Sequence, residues 1–318
     1  MRKIVRVGGE MKESALLRHL ALSATKIEQQ VGPLRICQLV HSRIYQPEYK
    51  SLMMDEAFVS KIIVYPVKSL DGESVERSVV LSSGALDFDR RWAMFDSKEQ
   101  YVNGKRYAAV HRIRSRVDLD NRTIELDAGG RLGPVHRKFS LDTEFEDIER
   151  WLSGSFEFPV SLRQDTAKGF PDDQVALGPT VISVATLNAL AGWFELSTEE
   201  IRARFRTNIE IDGVPPFWED RLYGRENVNV HFSIGDIMFE GVGPSDRCVV
   251  PARDSRSGEV DSTFVRRFCD KRMDTLPRWA ERSRLLTFYK LAINTRVLAV
   301  REGQSIKIGD QVRIAGRG

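Results

Sequence analysis

A mainly β fold with a few peripheral helices (α+β), its strands rolled into a pair of barrels, is what this 318-residue sequence predicts. Three observations point that way. Short segments rich in β-branched and aromatic residues recur along most of the chain. Turn-forming pairs punctuate them, among them Asp71-Gly72, Ser83-Gly84, Asn103-Gly104 and Gly129-Gly130. Helical periodicity is confined to a few short stretches, and the chain closes on further strands.

Taken in order, residues 1–57 stand apart: a weakly amphipathic stretch around Leu16 to Ile27, then Gly32-Pro33 and a Tyr/Gln/Pro segment, with no sheet pattern. They read as an N-terminal extension. Met54 immediately precedes the first strong strand signal, so the functional chain is expected to start there, the upstream part being an over-extended reading frame. A first β unit, 58–173, has strands at Val59 to Val67, Ser78 to Leu81, Arg91 to Phe95, Val110 to Leu119 and Thr123 to Leu126. Asp142 then caps a helix that places Phe145, Ile148, Trp151 and Leu152 on one face, with Gly154 beyond its end.

The second unit, 174–318, opens with a helix capped by Ser183 and carrying Leu187, Leu190 and Phe194, followed by the capping box Ser197-Thr-Glu-Glu200. Strands follow at Asn208 to Ile211, Val228 to Phe232 and Asp236 to Val242. A helix presents Phe264, Val265 and Phe268, and strands return at Thr295 to Val300, Ser305 to Ile308 and Gln311 to Ile314.

Composition narrows the function. A 42% hydrophobic content supplies a core, and 48 basic against 45 acidic residues leave no basic arm of the kind that tracks nucleic acid. Cys37, Cys248 and Cys269 form no CxxC, which argues against a disulfide framework, a zinc ribbon or an internal iron–sulfur cluster, and favours a reducing compartment. No run reaches the roughly 20 apolar residues of a membrane span. The apolar stretch Ala15 to Ala24 is broken by Arg18 and His19, so a cytoplasmic protein is expected. There is no G-x-S-x-G elbow, Walker A loop, dinucleotide fingerprint or H-E-x-x-H, and the five histidines (His19, His41, His111, His136 and His231) are scattered and read as surface or loop residues.

Two features remain. Cys248 follows an apolar run in Gly-Val-Gly-Pro-Ser-Asp-Arg-Cys-Val-Val-Pro (241–251), where a thiolate beside Arg247 suits a soft or sulfur-bound metal. A lone cysteine in such a stretch is also the commonest form of a small buried hydrophobe. Basic residues stand at strand ends: Lys68-Ser69, Arg90-Arg91, Lys105-Arg106, Arg206 before Asn208, and Arg247. Singly each is a solvated charge; together they suit a phosphorylated or other anionic ligand, which guanidinium groups grip at two points.

Tyr65-Pro66-Val67-Lys68-Ser69-Leu70, Asp89-Arg90-Arg91-Trp92, Arg204-Phe205-Arg206-Thr207-Asn208, Arg247-Cys248-Val249-Val250-Pro251 and Ile308-Gly309-Asp310-Gln311-Val312 occur in series over residues 58–315. With them the chain resembles the MOSC family, in particular members with an N-terminal MOSC β-barrel domain such as the mitochondrial amidoxime-reducing component. The resemblance implies a MOSC β-barrel domain after that first barrel, and a molybdenum cofactor with Cys248 as the metal ligand. It implies that Lys68, Ser69, Arg90, Arg206 and Asn208, with Arg247 beside the metal ligand, bind the pterin and its phosphate. The implied activity is reduction of N-hydroxylated or N-oxidised small molecules, with electrons from a separate donor protein of the reductase, ferredoxin or cytochrome type, because the chain's own cysteines hold no cluster. Asp246 stands beside the metal ligand, where a proton relay and a purely structural turn carboxylate are both open readings. Relatives carry an earlier cysteine in Cys-Ser-Arg-Cys or Pro-Cys-x-Arg-Cys, which Pro244-Ser245-Asp246-Arg247-Cys248 lacks, and their Thr-x-Arg and Asp-Thr segments are replaced by Asn103-Gly104-Lys105 and Leu177-Gly178-Pro179-Thr180. Two rivals stay open: a molybdenum-cofactor carrier or sulfur-transfer protein without turnover, and a non-enzymatic β domain binding another anion.

Overall fold

The strands form where β-branched and aromatic residues cluster, and they bury alternate positions or whole runs. The computed structural model describes residues 56–130 and 133–317. The expectations placed on the N-terminal extension, the start at Met54 and Cys37 lie outside the described residues. In chain order the strands are β1 (Phe58–Val64), β2 (Glu73–Val75), β3 (Arg77–Val79), β4 (Trp92–Asp96), β5 (Ile113–Asp118), β6 (Thr123–Gly130), β7 (Gly133–Ser140) and β8 (Val160–Gln164). They continue as β9 (Val181–Ser183), β10 (Ile209–Asp212), β11 (Val230–Ile234), β12 (Ile237–Asp246), β13 (Lys290–Ala299), β14 (Ser305–Lys307) and β15 (Val312–Arg317). The helices are α1 (Phe145–Phe156), α2 (Val184–Phe194), α3 (Thr198–Phe205) and α4 (Phe264–Asp274). The fold is therefore β-rich with some helices.

An eight-stranded sheet runs β15-β11-β12-β13-β9-β10-β1-β2, with β9 and β10 parallel and the other neighbours antiparallel. The start of β1 also bonds the segment entering β15: the Val59 amide donates to the Asp310 carbonyl at 2.9 Å, and the Val312 amide to that of Ala57 at 2.7 Å. Strands β1 and β2 thus belong to the sheet made by the C-terminal half, and β3 pairs with β14. The β5-β6-β7 meander and the β4-β8 pair form separate sheets, and α1 packs on them through Ile148 and Leu152 with Trp92, Ile124 and Phe139. Val59, Ile62, Ile211, Phe232, Phe239 and Ile293 of the large sheet cluster in one core, and α2, α3 and α4 share Leu187, Phe205, Phe264 and Phe268. Burying such side chains stabilises by about 1.5–3 kcal/mol each.

Local rules explain most boundaries. Ser183 and Ser197 cap their helices as expected, accepting from the Thr186 and Glu200 amides, each at 3.1 Å. Asp142 does not cap α1. Glu144 takes the N-cap position, and the Asp142 carboxylate pairs instead with Arg122 at 2.8 Å. Gly154 lies inside α1, which ends at Glu157 in the left-handed conformation. β1 stops at Val64 rather than Val67, two residues before Pro66, which has no amide to continue a ladder. Residues 108–112 form a 3-10 turn before β5. β7 was missed because His136, Arg137 and Lys138 are exposed and polar, its pairing with β6 supplying what composition does not.

Candidate functional site

The strand-end loops that carry the predicted residues face one cavity of about 920 Å³, lined by Lys68, Ser69, Arg90, Arg206, Arg247 and Cys248, with Asp246 and Asn208 also in its wall. The tertiary arrangement brings all of the sequence-predicted site residues to this one place. What differs among them is how their polar atoms are engaged.

The turn after β1 builds the first wall. Its Lys68 amide donates to the Trp92 carbonyl at 2.7 Å, and Ser69 adopts a positive φ of 77°. The Lys68 side chain is buried, and its Nζ donates to the Phe170 carbonyl and to Asp172 Oδ1, both at 2.8 Å. Burial lowers the Lys68 pKa, and Asp172 opposes that loss of charge. Arg90, also at positive φ, pairs with the adjacent Asp89, and its amide bonds the Tyr65 carbonyl at 2.8 Å.

Arg206 ends α3 in the left-handed conformation, where its amide closes the helix on the Arg202 carbonyl. Its guanidinium lies 4.2 Å from the Tyr65 ring centroid, and that of Arg90 lies 5.3 Å from it. Burial pushes the Tyr65 phenol up to about 12, against the pull of Arg206 and Arg90. Apart from that ring, no hydrogen-bond or ion-pair partner meets the Arg206 guanidinium among the described residues, and burial lowers its pKa. Arg206 is thus a half-buried cation at the cavity wall whose guanidinium has no protein acceptor.

Asn208 behaves differently. Its amide oxygen accepts from the Thr180 amide and hydroxyl at 3.1 and 3.0 Å, and its nitrogen donates to the Ile63 carbonyl at 3.1 Å. It knits β1 to the loop before β9, and so fixes the wall rather than presenting a free group.

Cys248 follows the end of β12 by two residues. The Val250 amide points at its Sγ from 3.5 Å. Arg247 donates to the Phe205 carbonyl and stacks 5.3 Å from the Phe205 ring, while its Nε is buried without a partner. Asp246 is exposed and pairs with Lys290 at 3.0 Å. No group of three or more His, Cys, Asp or Glu is placed to hold a metal among the described residues, so any metal taken here meets Cys248 without a cage of protein ligands.

Two residues escaped the sequence reading. Asp172 accepts from Lys68 and lies 3.9 Å from Arg90 and 4.0 Å from Lys105. Burial alone would raise its pKa, but Arg90, Lys68 and Lys105 together hold it well below the usual carboxylate range. The turn sequence Phe170-Pro171-Asp172-Asp173 gave no hint beyond a loop. His111 also lines the cavity, its Nε2 buried and unpartnered and its pKa lowered, chiefly by burial.

Comparison with known proteins adds the following. The MOSC N-terminal beta barrel domain family matches residues 56–158, and the MOSC domain family matches residues 171–313. Among curated proteins, the molybdenum cofactor sulfurase of Drosophila grimshawi is 24% identical over 63% of this chain and 28% of its own length. That of Caenorhabditis briggsae is 21% identical over 72% of this chain and 34% of its own length. The chain thus spans about a third or less of these relatives. Of solved structures, the YUAD protein from Bacillus subtilis aligns over 81% of this chain and 94% of its own, at 11% identity and a TM-score of 0.33.

Proposed function

This chain belongs to the MOSC family, carrying the MOSC N-terminal β-barrel domain ahead of the MOSC domain, and from that premise we propose that its cavity binds a molybdenum cofactor through Cys248 and supports reduction of N-hydroxylated or N-oxidised compounds. The observation that carries the reading is unpaired positive charge at the cavity wall: the half-buried Arg206 guanidinium and the buried Arg247 Nε both lack an acceptor, at a cavity that also presents a thiol. A thiophilic metal carried on a phosphate-bearing organic group would engage the thiol and the guanidinium groups together.

Such a cofactor, when bound, supplies two-electron chemistry with exchange of an oxygen atom. In this reading Lys68, Ser69, Arg90 and Arg206 hold the anionic end by charge-assisted hydrogen bonds. Asn208 keeps the Thr180 and Ile63 segments in register, and Arg247 adds positive charge beside Cys248. The Asp246–Lys290 pair stands at the rim near Cys248, where it moves protons between solvent and the cavity. Electrons come from a separate donor protein, since Cys248 and Cys269 cannot build a cluster.

The names of the curated relatives favour a second reading, in which Cys248 carries sulfur or holds the cofactor in transit without turnover. Protein made in a host competent for the cofactor separates the two. Stoichiometric molybdenum that is lost in Cys248→Ser is expected of the reductase and of a cofactor carrier. Oxidation of reduced viologen by hydroxylamine-type substrates is expected only of the reductase. Absence of molybdenum from the unmodified chain overturns the reductase and the carrier, and leaves only sulfur transfer.

A further inference from the structure

We propose that Asp172 is the positioning residue of the basic cradle: its carboxylate keeps the buried Lys68 ammonium charged and directed at the ligand's anionic group, an inference that rests on the anion-binding reading above. Lys68 has three N–H donors. Two are engaged, by the Phe170 carbonyl and Asp172, each at 2.8 Å, which leaves the third for a ligand in the cavity. With only 6% of the residue exposed, water contributes little to holding the charge. Of the charged groups that face Lys68, Arg90 and Lys105 oppose its protonation and Asp172 supports it, while the Tyr101 ring lies 5.1 Å away and adds a weak attraction. The balance turns on one carboxylate.

That carboxylate is placed by its neighbour. Asp173 accepts from the Val175 amide at 2.8 Å and from Asn294 Nδ2 at 3.0 Å, and so fastens the turn to β13. Lys68 and Arg90 stand in the segments flanking β1 and β4, whereas Asp172 comes from the loop before β9. The cradle is complete only when this loop is docked. The local charge is consistent with a role that persists when ligand binds: Lys68, Arg90, Lys105 and Arg206 against Asp89 and Asp172 leave four positive and two negative charges, a net of +2. A phosphate monoester carries about −1.5 to −2 at neutral pH, which matches that net without displacing Asp172.

The test is inorganic phosphate binding to the full chain, purified from a host that cannot make the cofactor and followed by calorimetry from neutral to alkaline pH. Wild-type protein is expected to lose affinity along an alkaline limb. In Asp172→Asn that limb moves down by about one pH unit or more, so that at a pH on the limb binding is roughly tenfold weaker. Asp172→Glu restores the wild-type limb. Lys68→Arg removes it in either background, because a guanidinium does not titrate there. Peptide-mapped reaction of Lys68 with acetic anhydride against pH reads its pKa without any ligand, and gives a lower value in Asp172→Asn. An unmoved limb, an unchanged Lys68 pKa, or tighter phosphate binding by Asp172→Asn at every pH overturns the role of Asp172 alone. Failure of wild-type protein to bind phosphate at any pH overturns the anion-binding reading and this inference with it.

Discussion

Glu219 and Lys68 are both buried, but Lys68 lines the cavity and its partner Asp172 is exposed, with 59% of its side chain accessible. Glu219 and Asp220 sit in the 3-10 turn Trp218–Leu222, sealed beneath α2 and α4. There Arg272 donates to the Asp220 carboxylate and stacks 4.1 Å from the Phe217 ring, and Glu219 accepts from the Thr186 hydroxyl at 3.1 Å. Arg272 and Asp220 pair within the protein, although Arg272 Nε and Nη1 and Glu219 Oε1 are also buried without a partner. Around Lys68 the count is lopsided, and the Arg206 guanidinium meets no acceptor. The same residue types therefore do two jobs: a sealed pair commits its charge to the fold, whereas an unpaired one at a cavity holds it for a ligand.

The sharpest way to break this contrast is Arg272→Met. Leaving the buried Asp220 carboxylate uncompensated is expected to cost about 3–5 kcal/mol of unfolding free energy in denaturant melts. Phosphate affinity should stay within about twofold, because the two clusters share no partner. A large loss of binding without a loss of stability would invert the assignment.

Glu219→Gln comes next. Burial, then the neighbouring Asp220 charge, raises the Glu219 carboxyl from the ordinary 4.5 to about 7. A raised folded-state pKa favours the native state below pH 4.5, and that advantage drains away as pH rises through about 7. The neutral amide should therefore leave stability unchanged near pH 4 and raise it above neutrality, by up to about 3 kcal/mol. Melting curves at several pH values check this, and a parallel offset at every pH would sink it.

Arg206→Gln probes the other cluster. Loss of a charge-assisted contact of about 1.5–3 kcal/mol should weaken phosphate binding tenfold or more. Unfolding free energy should hold or rise, since an unpaired half-buried charge has been removed. The smallest effect is expected of Asp246→Asn. Its ion pair with Lys290 is exposed on the Asp246 side and is worth less than about 1 kcal/mol, so melts should barely move.

Helix caps and the strand core were legible because their determinants are local. Ser183 and Ser197 lie next to the amides they satisfy, and β1, β10 and β12 carry sustained apolar runs. β7, with its exposed charges, and β9, only three residues long, form because partners supply their hydrogen bonds, and composition carries no trace of that. The site divides the same way. Lys68, Arg90, Arg206 and Cys248 stood out by residue type at strand ends, whereas Asp172 and His111 looked like ordinary loop residues until the chain placed them.

By itself the sequence determined the β-rich class, the family and the residue types at the cavity, because each is written in short motifs and local periodicity. Tertiary structure decided that β1 and β3 pair with strands from the second half of the chain, that Asn208 is engaged by the backbone around it while Arg206 is not, and that Asp172 faces Lys68. Those outcomes depend on contacts between residues more than 100 positions apart, such as Lys68 with Asp172 and Ile63 with Asn208. Their energies arise from burial and charge in the folded state, where Lys68 is largely removed from water while Asp172 keeps 59% of its side chain exposed.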